Sequence, residues 1–364
     1  MRARETRYAR QERTRVQVVS HFMKYLLSKL YSLVVSLRVY LYQKGILPSQ
    51  QLPHPVISVG NLTVGGTGKT PLVGFLAQIL KKSGYQPVIL TRGYKRKNKT
   101  PVLKVSDGKN ILCRWEDCGD EPYLLARNLD GVPVVVSKNR YQAGQSVQNN
   151  YSDPIIYLLD DGYQHLQLQR NLNILLLDAT DPFGGEQLLP LGRLRESPRG
   201  LKRADSIIIT RSHIPFEIEA VNRYIRKWNP WAPIAYFHHD VTAIYDLKTG
   251  EPRPIRAFFG KAVVALVAIG NPQVFLRDLE HYQMKVQDRF IFRDHHHYTQ
   301  TDLDHVLDRL TELQAEVVVT TQKDSIRLEN LRFEESQIFV LEIEAVPENL
   351  AEYRKEFLNE VKLL

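Results

Sequence analysis

From residue 55 to the C-terminus, short unbroken runs of Val, Ile and Leu alternate with stretches whose apolar residues recur at helical spacing. The runs at 56–59, 88–91, 132–136, 155–159, 174–177 and 207–210 predict strands, with helices between most of them. Strands without polar alternation are buried on both faces, so this pattern predicts a parallel sheet covered by helices on each side. A second set starts near residue 230, with strands at 234–237, 263–269, 317–320 and 338–341 and helices near 273–282, 301–313 and 347–363. Residues 211–261 bridge the two sets. Residues 101–116 read as an inserted β-hairpin, two apolar arms around Asp107-Gly108. The expected fold class is α/β: a doubly wound parallel sheet with a second, smaller α/β lobe.

The N-terminus breaks this pattern. Residues 22–47 are rich in Leu, Val and Tyr but are interrupted by Lys24, Lys29, Arg38 and Lys44, and the longest charge-free stretch, 30–37, is too short to span a bilayer. No small-residue cleavage site follows, so a signal peptide is not expected. Gly45 and Pro48 give a helix stop. Two readings stand side by side: a basic helix lying in a membrane interface, or a helix packed on the protein's own core. Charge sharpens the picture. The net charge is +9 over 364 residues, and residues 1–50, with seven Arg and three Lys against two Glu, hold +8 of it. A nucleic-acid-binding protein carries its basic patch on the folded body, so nucleic acid is not an expected partner. The organisation expected is a flexible basic arm at 1–21, a helix at 22–48, a nucleotide-binding core at 49–225 and a C-terminal α/β domain at 226–364. Cys113 and Cys118, spaced C-x4-C with no second pair, read as two free thiols in a reducing compartment.

The candidate chemistry begins at Gly60-Asn-Leu-Thr-Val-Gly-Gly-Thr-Gly-Lys-Thr-Pro71, between a predicted strand and a predicted helix. This is a phosphate-binding loop of the P-loop NTPase kind. Gly65, Gly66 and Gly68 let backbone N–H groups point inward, Thr67 lies among them, Lys69 supplies charge for the β- and γ-phosphates, and the Thr70 hydroxyl is placed for Mg²⁺. Thr63 stands where the usual motif has its first glycine. Downstream, Asp160-Asp161 closes a buried strand, the companion signal for a metal beside the loop. Gly119-Asp120-Glu121-Pro122 precedes a helical stretch; there Asp120 reads as an N-cap, or as a general base or Mg²⁺ ligand. Basic clusters close two other strands, at 91–96 and 137–140, and a turn-rich loop at 189–196 carries Arg193 and Arg195. In Asp294-His295-His296-His297, consecutive residues cannot converge on one ion, so one His acting with a carboxylate is the better chemical reading. Thr320-Thr-Gln-Lys-Asp324 either meets a nucleotide across the cleft or caps the next helix.

Together with Thr91-Arg-Gly-Tyr94, Asp160-Asp-Gly-Tyr-Gln-His165, Leu189-Pro-Leu-Gly-Arg-Leu-Arg-Glu196, Ile269-Gly-Asn-Pro272 and Phe292-Arg-Asp-His295, these motifs resemble the tetraacyldisaccharide 4′-kinases of lipid A biosynthesis in Gram-negative bacteria, over nearly the whole chain from about residue 24. The resemblance implies ATP and Mg²⁺, an acylated glucosamine disaccharide 1-phosphate as acceptor, two lobes with the site between them, attachment of the N-terminal helix to the cytoplasmic face of the inner membrane, and no stable protein partner. It implies that Lys69 and Thr70 hold phosphates and metal. Asp120 would be the base paired with His295, and Glu121, Asp160 and Asp161 would serve the metal. Tyr94, Arg140, Gln164 and His165 would contact the lipid, and Arg195 would face the transferring phosphate. Cys118 and Arg193 depart from the family's usual aliphatic residue and proline. A P-loop ATPase or GTPase switch is the alternative enzyme class, and a nucleotide-gated membrane-binding module the non-enzymatic one.

Overall fold

The computed structural model describes residues 2–151 and 154–364, with the side chains of residues 2–20 outside that description. Among the described residues all strands belong to one continuous sheet. Its first half holds β1 (Val56–Asn61), β2 (Gln86–Thr91), β3 (Val102–Ser106), β4 (Val134–Ser137), β5 (Ile155–Asp160), β6 (Leu172–Asp178) and β7 (Ser206–Thr210). β8 (Ile234–Asp246), with the short β9 (Pro252–Arg253) at its side, leads into β10 (Ala262–Val267), β11 (Lys285–Ile291), β12 (Val317–Thr321) and β13 (Ile338–Pro347). The spatial order is β11-β10-β12-β13-β8-β7-β6-β1-β5-β2-β4-β3. β1 sits mid-sheet between β5 and β6, and β2, β5, β1, β6 and β7 pair in parallel. The Val, Ile and Leu side chains of these strands are buried, as continuous apolar runs require.

β8 joins the halves. Its first residues pair in parallel with β7, and Phe237 to Asp246 pair antiparallel with β13. The helices are α1 (Arg2–Gln43), α2 (Lys69–Lys82), α3 (Trp115–Cys118), α4 (Asp120–Asn128), α5 (Arg140–Gln145), α6 (Ile218–Trp228), α7 (Pro272–His281), α8 (Gln300–Glu312), α9 (Gln322–Leu328) and α10 (Leu350–Lys362). α10 crosses back to the first half: Tyr353, Phe357 and Val361 join the core formed by β1, α2 and α4, and the Tyr353 ring meets Phe237 edge-on at 4.8 Å.

Three expectations need correction. The hairpin at 101–116 is a single edge strand, β3, antiparallel to β4; its second arm makes only a Ser106–Ile111 bridge before Trp115 starts α3. The strand β11 escapes the apolar-run pattern because it is an edge strand with alternating exposure, reading Lys-Val-Gln-Asp-Arg-Phe-Ile. The N-terminal helix starts at Arg2, so it takes in the segment read as a flexible arm, whose arginine side chains fall outside the described residues.

α1 lies on the first half through Ser28, which donates to Leu188 O (2.9 Å), Tyr31, which donates to Arg195 O (2.8 Å), and Arg38, which donates to Gln164 O (3.3 Å). Its other face leaves Phe22, Met23, Leu26, Leu30, Leu33 and Leu37 exposed. Among the described residues no helix is long and apolar enough to cross a membrane.

Candidate active site

β1 delivers the glycine-rich loop to the N-terminus of α2, which has no side-chain cap and so leaves its first N–H groups free for an anion. Gly68 takes φ 82°, and a Cβ there would lie 2.8 Å from His239 Nε2, so both conformation and space demand glycine. Two arginines from other loops hold the loop's carbonyls: Arg193 donates to Val64 O (3.0 and 3.3 Å) and Arg211 to Gly66 O (2.9 Å). The Thr67 carbonyl accepts from Thr210 Oγ1 (3.0 Å), while the buried Thr67 Oγ1 itself has no partner. Lys69 Nζ donates to Asn61 Oδ1 (3.2 Å) and lies 3.6 Å from Asp161 Oδ1. Thr70 is the second residue of α2. From the other half, Gly270 approaches so closely that a Cβ there would lie 3.0 Å from the Gly66 nitrogen.

Asp160 ends β5 beside the end of β1, in register with Val59. Burial pushes its carboxyl up, Glu121 and Asp161 add to the effect, and it reaches about 7, with Thr91 Oγ1 donating to it at 3.1 Å. For its neighbour Asp161 burial also opposes ionisation, but Lys69 and Arg195 outweigh it and hold the group at about 2. Arg195 Nη1 reaches both Asp161 oxygens at 2.9 Å. No group of three or more His, Cys, Asp or Glu converges on a ready-made metal site among the described residues.

Asp120 is the first residue of α4, not its N-cap; the capping position is Gly119, with no side-chain bond. Its carboxylate accepts from the Glu121 N–H (2.9 Å) and faces His295 Nδ1 at 2.9 and 3.0 Å. Burial works against its charge, yet His295, Lys323 and Arg327 prevail and bring it to about 2. Lys323 Nζ lies 3.3 Å from His295 Nε2, 2.9 Å from Glu121 and 3.2 Å from Asp294. An ammonium has no acceptor, so this contact assigns Nε2 as acceptor and leaves the Nδ1 hydrogen to donate to Asp120. Of the three histidines, His295 pairs with Asp120, His296 lies 3.1 Å from Asp302, and the His297 ring lies tilted against Trp115 at 5.1 Å between centroids. Asp161, Arg211 and His295 hold φ of 52°, 60° and 61°. Strain of this kind in non-glycine residues persists where surrounding contacts over-determine a site.

Beneath His295, Arg327 is buried with the fully buried Asp324, which also accepts from Ala268 N (3.1 Å), Tyr298 OH (3.0 Å) and Thr321 Oγ1 (2.7 Å). Arg327 donates in turn to His296 O (3.1 Å) and Ala268 O (3.2 Å), which fixes the histidine loop to α9. Arg327→Met is therefore expected to cost about 3–5 kcal/mol, the scale for stranding a buried charge. Urea unfolding measures this, and the double variant Asp324→Asn/Arg327→Met should recover part of the loss.

The lipid-contact candidates divide. Tyr94 is exposed with its ring 5.3 Å from His295. Gln164 Nε2 donates to Asn61 O and Glu196 (both 2.8 Å), tying it to the loop and to the segment that carries Arg195. Arg140 and His165 belong to a basic pocket. Burial depresses His165 to about 3, with Arg140, Arg170, Arg38 and Arg92 all contributing. His165 Nε2, Arg140 Nε and Arg170 Nε are buried without partners. These orphaned polar atoms lie amid four guanidinium groups, one of which, Arg38, comes from α1. Periodicity did not reveal Lys323, Arg327 or Arg211; Lys323 lies in a strand-end motif visible in the sequence, and its role depends on which carboxylates the fold brings to it.

A P-loop, a strand-end carboxylate pair and a histidine-backed carboxylate facing them from the lobe junction define a nucleotide-dependent phosphotransferase. A profile of the family described as Tetraacyldisaccharide-1-P 4'-kinase matches residues 20–362, and the chain belongs to that family. It is 39% identical over 309 residues to the tetraacyldisaccharide 4'-kinase of Syntrophus aciditrophicus, covering 83% of this chain and 82% of that one. It is 37% identical over 303 residues to that of Aquifex aeolicus, covering 83% and 88%. The fold matches a crystal structure of LpxK from Aquifex aeolicus in complex with ATP, with a TM-score of 0.73 and 35% identity, covering 92% of this chain and 97% of that one.

Proposed function

We propose that the protein transfers the γ-phosphate of ATP to the 4′-hydroxyl of a tetraacylated glucosamine disaccharide 1-phosphate at the cytoplasmic face of the inner membrane. The observation that carries this reading is the buried Asp120 carboxylate held by His295 Nδ1 at 2.9 and 3.0 Å, next in sequence to Glu121, which lies 2.9 Å from Lys323. The loop N–H groups and Lys69 bind the phosphates, and Arg195 turns from Asp161 toward the transferring group. Thr70, Asp160, Asp161 and Glu121 would hold Mg²⁺, and the oxygen-only donor set of these residues fits that role. When bound, Mg²⁺ supplies charge neutralisation on the phosphate oxygens.

Asp120 orients the sugar hydroxyl and takes its proton. A carboxylate held at about 2 is a weak base, but a loose transition state asks for the proton late, so an ionised acceptor in place is what the step requires. His295 fixes the orientation of that acceptor. Tyr94 and Gln164 contact the sugar, and the Arg140–His165 pocket receives the 1-phosphate. Its position beside Arg38 supports binding of the acceptor next to α1, with the exposed apolar face of that helix in the membrane interface.

Transfer of radiolabel from [γ-³²P]ATP tests the reading. Label should reach the tetraacylated disaccharide 1-phosphate and not the deacylated sugar, with little phosphate released when no lipid is present. Rapid hydrolysis without acceptor would instead favour a membrane-associated switch. The triple variant Leu30→Glu/Leu33→Glu/Leu37→Glu should lose cosedimentation with anionic phospholipid vesicles while keeping turnover on detergent-dispersed substrate, since these side chains point away from the docked face of α1.

A further inference from the structure

His295 stands between two carboxylates. Asp120 faces its Nδ1 at 2.9 and 3.0 Å, and Asp294 Oδ2 lies 3.7 Å from its Nε2, just beyond hydrogen-bond reach. Each carboxylate attracts a hydrogen to the ring nitrogen it faces. A neutral imidazole carries one such hydrogen, and its two placements do opposite things to Asp120. On Nδ1 it donates to the Asp120 carboxylate; on Nε2 it leaves a lone pair facing that carboxylate. Lys323 breaks this near-symmetry. Its ammonium, a donor with no lone pair, lies 3.3 Å from Nε2.

The fold holds Lys323 firmly in that place. It is the second residue of α9, whose start is fixed by the Thr321 hydroxyl accepting from the Asp324 N–H at 3.1 Å. Its ammonium has three hydrogens and three partners: Glu121 Oε1 at 2.9 Å, Asp294 Oδ1 at 3.2 Å and His295 Nε2 at 3.3 Å. Burial opposes its charge, but Glu121, Asp120 and Asp294 outweigh burial and hold the group above the ordinary ammonium range, so it stays a cation. Two of the partners belong to the histidine loop. The third, Glu121, belongs to α4 and adjoins Asp120. One ammonium therefore spans the junction of the two halves and also occupies the carboxylate that competes for the imidazole hydrogen.

We propose that Lys323 is a positioning residue for phosphoryl transfer: it occupies Asp294, donates to His295 Nε2, and so commits the single imidazole hydrogen to Asp120. The effect on transfer rests on the role of Asp120 given above; the placement of the hydrogen does not. Without the ammonium, Asp294 draws a hydrogen to Nε2. The ring then either turns a lone pair toward Asp120, which loses its bond, or carries both hydrogens and pairs with Asp120 as a cation, which weakens that carboxylate as a proton acceptor. Both routes slow the step through Asp120. Lys323 makes no hydrogen bond or ion pair with the P-loop, so nucleotide binding is spared.

The test uses full-length protein labelled with ¹⁵N in histidine, with the His295 signals assigned by their absence from His295→Ala. Long-range ¹H–¹⁵N spectra report which ring nitrogen carries hydrogen. The wild type should show Nδ1 protonated and Nε2 bare, and Lys323→Met should show hydrogen on Nε2. Kinetics in parallel should give a kcat lower by roughly 10²-fold in Lys323→Met, the scale of a 1 Å misplacement at a reacting group, with KM for ATP nearly unchanged. Because Lys323 acts through His295, His295→Ala/Lys323→Met should be no slower than His295→Ala. Hydrogen on Nε2 in the wild type overturns the proposal without any variant, and so does an Nε2 that stays bare in Lys323→Met. Losses that add in full in the double variant assign Lys323 to the substrate itself and overturn the positioning role. A moved hydrogen with unchanged kcat overturns the effect on transfer. Asp120→Ala tells the two levels apart: full turnover there removes the catalytic reading, whereas the ring hydrogens are read without turnover.

Discussion

Asp120→Ala is expected to lower kcat by roughly 10²–10⁴-fold, the usual contribution of a positioned acid–base group, with KM for ATP nearly unchanged. The split follows from location. Asp120 contacts His295 and Arg327, with Lys323 acting on it only through its charge, and it makes no hydrogen bond or ion pair with the P-loop. Steady-state kinetics at varied ATP and fixed lipid separates the two parameters, and a rise in KM with full kcat would remove Asp120 from the chemical step. A second consequence is thermodynamic. The folded-state pKa is depressed, so the stability Asp120 contributes is present above the ordinary carboxyl value near 4 and is lost as pH falls toward 2. Asp120→Asn should therefore reduce Tm at neutral pH and have a shrinking effect on the acid side of pH 4.

Lys69→Ala should reduce kcat/KM by roughly 10²–10³-fold or more, the cost of removing one preorganised charge from a transferring oxyanion. Lys69 is anchored by Asn61 and lies beside Asp161, so its ammonium is already held at the mouth of the loop. Arginine should not restore the rate, because its planar fork cannot replace a compact ammonium between Asn61 and Asp161. Nucleotide affinity by calorimetry and transfer by radiolabel check both parts. An active Lys69→Ala variant would mean that phosphate is handled elsewhere.

Much of the fold was legible because its strands are buried on both faces. The runs at 56–59, 155–159 and 174–177 have no polar alternation, and they became β1, β5 and β6 at the sheet's centre. Legibility failed at the edges. β11 is half-charged, and the second arm of the supposed hairpin turned into a helical start at Trp115. The extension of β8 to Asp246 was hidden for a different reason: His238, His239 and Asp240 look like a loop until β13 pairs with them. The P-loop and the Asp160-Asp161 pair were readable from local spacing. The choice of His295 among three histidines came from resemblance, since its partner lies 175 residues away and no periodicity connects them. Lys323, which assigns the tautomer of His295, was invisible as a role for the same reason: its meaning comes from Glu121 and Asp294, brought together by the meeting of α4 with α9.

The central claim is that Asp120 and His295 act as one unit across the junction of the two halves. A double-mutant cycle on kcat tests it most directly, with Asp120→Ala, His295→Ala and the double variant compared at saturating ATP and lipid. Residues that act as a unit are strongly non-additive. The expected result is a double variant no slower than Asp120→Ala alone, with the nucleotide KM unchanged throughout. Losses that add, each variant slowing the other by its full separate amount, would contradict it.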